Sequence, residues 1–537
     1  MNSLLIEDPL KKACRIIIKK IINGEAKTID EINKLKIEVA SQLKLKNIPS
    51  NADILAYMNN EEKEAFGNLL IRKKTRIISG VTVIAVMTKP YKCPHGKCVY
   101  CPGGIEQGTP QSYTGFEPAA MRGWQYNYDP YLQVYNRIKQ YEAIGHKVDK
   151  IELIIMGGTF PATPLEYQRY FIKNCIDAIT GYNSENLNEA IRIAESSKRR
   201  ISGITVETRP DWAKLNHLNE LLEMGVTRIE LGVQALSDEI YEIIERKHTL
   251  QDVIEATEIA KDLGFKVAYH LMPNLPGSSI EKDIEMFKEC FNNQSFRPDM
   301  LKIYPTLVIE GTKLYEWWKE GKYKPYSEEE LINLLIEWLK MTPRYVRILR
   351  LQRDVPSQLI IAGIKKSNLR EIVERKMKEE GFECKCIRCR EVGHKFLKEG
   401  IIPDFENIKL IKTIYDSSNG IDIFLSFEDV KNDILIGFLR LRYPSKILRK
   451  ELENSTIVRE LHVYGSMVPV GEKLKNKDAW QHLGFGSKLL NEAEKISKEE
   501  FNAKKIVVIS GIGVKEYFLK KGYIKDGPYV SKKLVNI

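Results

Sequence analysis

Three cysteines, Cys93, Cys98 and Cys101, lie within nine residues of the stretch Tyr91-Lys-Cys-Pro-His-Gly-Lys-Cys-Val-Tyr-Cys-Pro-Gly-Gly104, spaced C-x4-C-x2-C. The 537-residue chain has only nine cysteines, so this gathering calls for a chemical reason. Three thiolates on one short loop suit three irons of a [4Fe-4S] cluster and leave the fourth iron open. The alternatives are a closed zinc site, in which His95 would supply the fourth ligand, and a redox dithiol.

An open iron can hold the amino and carboxylate groups of S-adenosylmethionine and pass one electron to its sulfonium. The resulting 5′-deoxyadenosyl radical abstracts hydrogen from unactivated carbon. The two-residue gap before Cys101, with Tyr100 ahead of it, resembles the radical-SAM signature.

A loop of this kind needs a scaffold, and the flanking pattern supplies one. Between about 77 and 360, apolar β-branched runs recur at Val81–Val86, Ile151–Met156, Gly203–Glu207, Arg228–Val233, Val267–Met272, Leu301–Tyr304 and Tyr345–Leu351. Helical stretches separate them, among them Pro164–Ile179, Lys214–Met224, Asp238–Lys247, Gln251–Leu263 and Ser279–Phe291. Such alternation predicts a parallel sheet, and about six repeats predict a partial (β/α)6 barrel whose functional groups gather where strands end. The strand ends carry Gly157-Gly158-Thr159, Glu207-Thr-Arg209, and Gln234. Beside a radical-SAM loop, the glycine pair resembles the part that holds the methionine amino group. Glu207, Arg209 and Gln234 are then the polar contacts to nucleoside and carboxylate; structural caps or ion pairs are the ordinary alternative.

A second cluster, Cys384-Lys-Cys386-Ile-Arg-Cys389 with His394 five residues on, has the ligands for tetrahedral zinc. From about 395 the chain is strand-rich: Ile421–Phe427, Leu435–Leu441, Ile457–Val463 and Lys505–Ser510. Within it, Glu460-Leu-His-Val-Tyr464-Gly465 precedes Gln481-His-Leu-Gly484-Phe-Gly486 and a helix over Ser487–Lys495. Strand, glycine-rich turn and helix N-terminus make an anion site of backbone N–H groups. The Q-x-x-G-x-G pattern is similar to the pyrophosphate loop of GNAT-type acetyltransferases, and Tyr517-Phe518 followed by Gly522-Tyr523 is similar to their last helix and turn.

The first 75 residues read as helices, with apolar spacing through Leu10–Ile22 and Ile32–Leu43. Lys11, Lys12, Arg15, Lys19 and Lys20, then Arg72, Lys73, Lys74 and Arg76, would suit a phosphate backbone or an ordinary solvated face. Cys14, Cys175 and Cys290 read as core. Net charge is +11, which leans towards a polyanionic partner. Hydrophobic content of 43% and charged content of 29%, with no membrane-length apolar run and no signal pattern, predict a soluble cytoplasmic protein. Reduced cysteines agree with that compartment.

A radical-SAM barrel joined to a GNAT-type domain resembles the catalytic subunit of Elongator. The motifs are Cys93-Pro-His, Cys98-Val-Tyr-Cys-Pro-Gly-Gly104, Gln111-Ser-Tyr-Thr-Gly115, Glu117-Pro118, Met156-Gly-Gly-Thr-Phe160, Glu207-Thr-Arg-Pro-Asp211, Arg390-Glu-Val-Gly393, Glu460–Ser466 and Gln481–Gly486. The resemblance implies a helical tRNA-binding region over 1–76, the barrel over 77–375, a zinc linker over 376–394 and the acetyltransferase domain over 395–537. It implies 5-carboxymethyluridine formation at the tRNA wobble uridine from acetyl-CoA, with the anticodon stem-loop as partner. Cys93, Cys98 and Cys101 would bind the cluster. Lys150, Leu461–Tyr464 (Leu461, His462, Val463, Tyr464), Phe485–Ser487 (Phe485, Gly486, Ser487) and Phe518 would contact acetyl-CoA, and Tyr517 would be catalytic with Lys150. One small cavity is expected to admit acetyl group, adenosyl radical and flipped base together, since a carbon radical cannot travel through water.

Two departures from the family stand out: Phe518 replaces a second tyrosine, and the loop lacks the longer insert of eukaryotic members. The short loop points to an archaeal or bacterial type that works without the other Elongator subunits, and a homodimer is the expected assembly. The rival reading is a protein lysine acetyltransferase with a structural barrel, and a third is a tRNA-binding module with vestigial chemistry. Neither has a use for the intact cysteine triad.

Overall fold

The structure is a computed structural model, and it describes residues 8–70, 80–464 and 484–534, leaving aside the side chains of Glu64 and Asn68. The basic run Arg72–Arg76, Gly465–Ser466 and Gln481–Leu483 lie outside the described residues.

Two compact units are present. The first takes residues 1–77 with 134–149, and the second takes 78–133 with 150–537. In the first, helices Pro9–Ile22, Ile29–Gln42, Asn51–Tyr57 and Asn60–Leu70 bury Ile17, Ile18, Ile32, Val39 and Ile54. Their starts are set locally, by Thr28 with Glu31 and by Ser50 with Asp53, each pair exchanging side-chain and backbone hydrogen bonds. Cys14 lies in this core, and burial pushes its thiol up to about 11.

The second unit opens with β1 (Thr82–Met87), β2 (Lys150–Met156), β3 (Arg200–Thr208), β4 (Arg228–Gln234), β5 (Lys266–Leu271) and β6 (Met300–Ile303). After the short β7 (Val308–Ile309) comes β8 (Arg347–Arg350). Strands β1 to β6 and β8 form one sheet, every neighbour pair parallel, one strand beyond the six repeats. Strand β9 (Ile360–Ala362) pairs with β7 in a separate two-stranded sheet. All seven strand runs expected from the sequence form, and Cys175 and Cys290 are buried in helices as expected.

The expected helix Asp238–Lys247 is shorter: it ends at Ile243, and Glu245 and Lys247 take φ of +57° and +54°. That break turns Arg246 back toward the cysteine loop, where its guanidinium donates to Cys98 Sγ at 3.6 Å.

Alternation along the strands explains the barrel interior. Outward positions such as Ile151, Leu153, Ile229 and Leu231 are fully buried under helices. The alternate positions carry Glu152, Arg228, Glu230, His270 and Lys302, where a closed barrel would have branched apolar residues. They pair down the axis: Arg228 reaches Glu152 at 2.5 Å and Glu230 at 3.3 Å, and Lys302 meets Glu230 and, at 3.3 Å, Glu207.

The C-terminal α/β region has β10 (Ile408–Ser417), β11 (Gly420–Asp429), β12 (Ile434–Tyr443), β13 (Ser455–Val463), β14 (Lys505–Val508), β15 (Ile524–Asp526) and β16 (Tyr529–Lys533). Their order is β10-β11-β12-β13-β14-β16-β15, with β13 and β14 parallel and the rest antiparallel. Helix Phe485–Glu499 packs Leu489, Leu490 and Ala493 on this sheet.

The sheet joins the barrel through a layer of desolvated charges. Arg459 grips Asp299 with two bonds of 2.6 and 2.7 Å, Arg442 meets Asp262 at 2.6 Å, and Lys261 meets Asp422 at 2.8 Å. All six side chains are at most 1% exposed. Removing one partner of such a pair costs about 3–5 kcal/mol, because the other charge stays buried alone. Among the described residues, no helix is long and apolar enough to cross a membrane.

Candidate active site

The cysteine loop lies at the C-terminal ends of the strands, in a cleft of about 1030 Å³, open mouth included. All three thiols are buried. His95 bridges two of them, with Cys93 Sγ 3.0 Å from its Nδ1 and Cys98 Sγ 3.1 Å from its Nε2, and Cys101 Sγ accepts from Gln111 Nε2 at 2.9 Å. Burial raises the Cys93 and Cys101 thiols, and burial with the charges of Arg209 and Arg246 holds His95 neutral, down to about 3.

Redox dithiols need a lowered thiol pKa, so this environment argues against the dithiol reading. It suits ligands that a metal deprotonates on binding. The groups of ligand atoms that all lie within 4.8 Å of one another are Cys384–Cys386–Cys389 and Glu207–Glu230–His270 among the described residues. The loop triad is spread more widely, which fits a polynuclear cluster better than a single ion.

The strand-end residues converge on the same cleft, with Gly158, Thr159, Glu207, Arg209 and Gln234 in its wall. Gly157 has φ +141°, and a Cβ there would sit 1.9 Å from Thr88 Oγ1, so only glycine fits. Gln234 holds φ +70°, uncommon for a residue with a side chain, while its carbonyl accepts from Met272 N–H at 2.8 Å. Glu207 accepts from Tyr113 at 2.6 Å. Arg209 is turned into the wall, bonded to both oxygens of Asp211 at 2.9 Å and to the carbonyl of Arg246 at 3.0 Å. Its charge reaches the cleft from behind.

Sequence reasoning missed the cleft floor. Glu230, fully buried, accepts from His270 Nε2 at 2.9 Å, and Lys302 and Arg228 keep its carboxyl well below the usual range against the opposing effect of burial. The available signal was an ionisable residue at alternate positions of three otherwise apolar strands.

Lys150 is not brought to the cysteines. It opens β2, and Gly157 lies just beyond the strand's other end, about 20 Å away. Its register partner is Arg200, whose side chain pairs with Glu516 at 2.9 Å, next to Tyr517. Lys150 therefore sits on the side of the C-terminal region.

There, Gly484 (φ +78°) starts the helix Phe485–Glu499, and Gly486 lies beside the Tyr517 hydroxyl, 3.0 Å from where its Cβ would be. Ser487 Oγ accepts from Lys521 at 2.6 Å, and Val463 lies against Gly486. The rings of His462 and Tyr464 are 4.3 Å apart, and Tyr464 accepts from Arg347 at 2.9 Å. Leu461 packs against the core.

Phe518 departs from its expected contact with acetyl-CoA. It is 3% exposed, inside the core with Leu489 and Leu490, where a ring without a hydroxyl leaves no polar group unpaired. Tyr517, more than a third exposed, faces the helix start instead.

The linker cysteines form a tight group, but His394 is not in it. One helical turn carries His394 Nε2 to 3.1 Å from Glu391. The thiols instead have Glu374 3.5 Å from Cys389. Burial opposes ionisation of Cys386, yet the Cys384 and Cys389 thiols and the Arg370 charge hold it well below its usual value.

A parallel partial barrel with three cysteines on a loop at its strand ends defines the radical SAM class. Three family models agree: the ELP3 N-terminal domain over residues 10–78, the Radical SAM superfamily over 87–290 and the Radical_SAM C-terminal domain over 298–379. The chain is 52% identical to the tRNA uridine(34) acetyltransferase of Methanocaldococcus jannaschii, across 99% of this chain and 100% of that protein. It is 45% identical to human Elongator complex protein 3, across 96% of each. The solved structure of Methanocaldococcus infernus Elp3 with N-terminus deletion (1-46) matches with TM-score 0.76 at 50% identity, covering 85% of this chain and 100% of that one. The chain belongs to the family of the archaeal tRNA uridine(34) acetyltransferases and Elongator complex protein 3.

Membership in the radical SAM family implies a [4Fe-4S] cluster and S-adenosylmethionine. The residues present fit both, with three buried, widely set thiols and a glycine-walled, polar cleft beside them.

Proposed function

We propose that this protein is a tRNA uridine(34) acetyltransferase that forms 5-carboxymethyluridine from acetyl-CoA. The observation that carries it is the three-thiol cleft built into one compact unit with an α/β region that has a glycine-started helix N-terminus at Gly484–Ser487. The names of the relatives support it over their full length. A protein lysine acetyltransferase would have no use for the thiol cleft.

In this reading Cys93, Cys98 and Cys101 hold the cluster, and Gly157, Gly158, Thr159, Glu207 and Gln234 hold S-adenosylmethionine. Bound together, these groups supply a single electron and a carbon radical able to take hydrogen from a methyl group. The chain's own residues set the surroundings. Gln111 and Arg246 donate to Sγ of Cys101 and Cys98 and steady their charge. Tyr113 and Lys302 fix Glu207, and Arg209 adds positive charge from behind. Backbone N–H groups at Phe485–Ser487 take the CoA pyrophosphate, with Val463 and Tyr517 beside it.

Lys150 and Leu461–Tyr464 line the acetyl-CoA side, and the acetyl methyl has to come within reach of the thiol cleft for its hydrogen to be taken. A flipped base enters the cleft mouth cheaply, since an anticodon loop is already single-stranded. Cys384, Cys386 and Cys389 hold zinc, with the Glu374 carboxylate the nearest fourth ligand. The helical N-terminal unit grips tRNA, and the protein works as a homodimer in the cytoplasm without other subunits.

The test is anaerobic reconstitution with iron and sulfide, then incubation with tRNA, acetyl-CoA, S-adenosylmethionine and dithionite. Mass spectrometry of the nucleosides should show carboxymethyluridine only when all four are present. With the cluster intact, unmodified tRNA and acetylated lysines on a protein substrate would overturn the reading.

A further inference from the structure

The loop that follows β5 separates two cavities. Met272 lines the thiol cleft, while Asn274–Ser278 line a second cavity of about 790 Å³, open mouth included. Its opposite wall is the stretch 313–326, Lys-Leu-Tyr-Glu-Trp-Trp-Lys-Glu-Gly-Lys-Tyr-Lys-Pro-Tyr, which contributes Trp317, Lys322, Tyr323, Lys324 and Tyr326.

The cavity is built, not accidental. Tyr323 donates to the Asn274 carbonyl at 2.8 Å, and Tyr326 N–H donates to Asn274 Oδ1 at 2.7 Å. Beneath them Asp283, 2% exposed, accepts from the Tyr326 and Ser278 hydroxyls at 2.9 and 2.6 Å and from Asn274 N–H at 2.7 Å. With both tyrosine hydroxyls engaged by the scaffold, the aromatic side chains have chiefly ring surface left for a ligand.

Charge selects the ligand further. Among the described residues no carboxylate lines the cavity, whereas two lysines do. Lys322 has only an exposed pairing with Glu320, which is worth little, and Lys324 makes no ion pair among the described residues. Ring surfaces with lysines at the rim suit a base and its phosphate. The wall is also tied to the cysteine loop. Leu314 N–H donates to the carbonyl of Val99 at 2.9 Å, and Val99 stands between Cys98 and Cys101.

We propose that the second cavity is a nucleotide subsite for single-stranded RNA, holding a neighbour of the nucleotide that enters the thiol cleft. The base lies against Trp317 and Tyr326, and the phosphate lies between Lys322 and Lys324. The proposal rests on the tRNA reading above and adds the site that fixes the loop's register.

The test measures binding of a fluorescein-labelled anticodon stem-loop RNA to the full chain across a salt series. Variants are Trp317→Ala, Trp317→Phe and the double change Lys322→Ala with Lys324→Ala, each checked by thermal melt and acetyl-CoA binding. Trp317→Ala should weaken binding between about 5-fold and about 150-fold with the salt slope unchanged, and Trp317→Phe should restore most of it. The lysine double variant, which frees that one phosphate, should lower the slope of log K against log salt by about 0.7.

Wild-type binding with unchanged affinity and slope in both variants overturns the subsite and leaves the tRNA reading standing. No RNA binding by wild type overturns the tRNA reading itself. Uridine monophosphate that binds in a Trp317-dependent way without displacing the RNA would mark a free-nucleotide site and also overturn the proposal.

Discussion

The two three-cysteine clusters use the same residue for opposite purposes. In the loop cluster the thiols are set apart, and each touches a side chain from elsewhere in the chain or the loop: His95, Arg246, Gln111. In the linker cluster the thiols lie within 4.8 Å of one another and hydrogen-bond mutually. The first arrangement leaves room in the middle and opens to a cleft. The second is closed on itself and sits where barrel and C-terminal region meet, with Ile387 N–H bonded to the carbonyl of Val346 at 2.9 Å. An open set of ligands can host chemistry, and a closed one can only hold shape.

Substitution should separate them sharply. Cys98→Ala should abolish carboxymethyluridine formation and the iron content of reconstituted protein, with acetyl-CoA binding retained and a melting temperature within about 2 °C of wild type. Cys386→Ser should do the reverse. It should lower the melting temperature by more than about 5 °C and remove stoichiometric zinc, while reconstituted iron remains. Elemental analysis alongside thermal melts checks both. Iron loss in Cys386→Ser, with zinc retained, would exchange the two roles.

A smaller effect tests whether the open cluster depends on its walls. Gly157→Ala places a Cβ against Thr88 at a φ of +141° that alanine avoids. The expected result is at least a tenfold loss of S-adenosylmethionine affinity by calorimetry, with cluster absorbance kept. Unchanged affinity would remove the glycine pair from the cofactor site.

How much of this was legible in the chain follows from what is local. Spacing alone made both cysteine clusters visible, and apolar alternation located all seven parallel strands. Caps such as Thr28 with Glu31 are written within four residues. Distant pairings were not visible. The arrival of Arg246 depends on a helix breaking early. Lys150 looked catalytic by motif, yet strand direction puts it at the far end of β2 from the glycine pair. His394 has zinc-like spacing, but a helical turn aims it at Glu391. The strands β10, β15 and β16 were missed because lysines and other polar residues interrupt their apolar alternation and their pairing is long-range or at an edge.

Acid gives the finest separation. Zinc thiolates release metal as pH falls, so the linker should weaken on acidification. A second group acts in the same direction: His462 near the barrel interface, which burial pushes down to about 4 against the pull of Glu460. Its folded pKa lies below the unfolded value near 6.5, so between those limits the unfolded chain binds more protons and stability is lost as pH is lowered. Asp283 runs the other way. Burial pushes it up to about 6, so its contribution is lost as pH rises from about 4 to 6 and partly offsets the histidine. His95 and His394, which burial also pushes down to about 3, add to the histidine side, so the net expectation is a loss of stability between pH 6.5 and 4.5 in protein whose zinc is still bound. His462→Gln should make that part of the profile shallower in denaturant titrations with zinc measured in parallel. An unchanged profile that tracks zinc release would assign the acid sensitivity to Cys384, Cys386 and Cys389 instead, making the closed cluster the weaker of the two in acid.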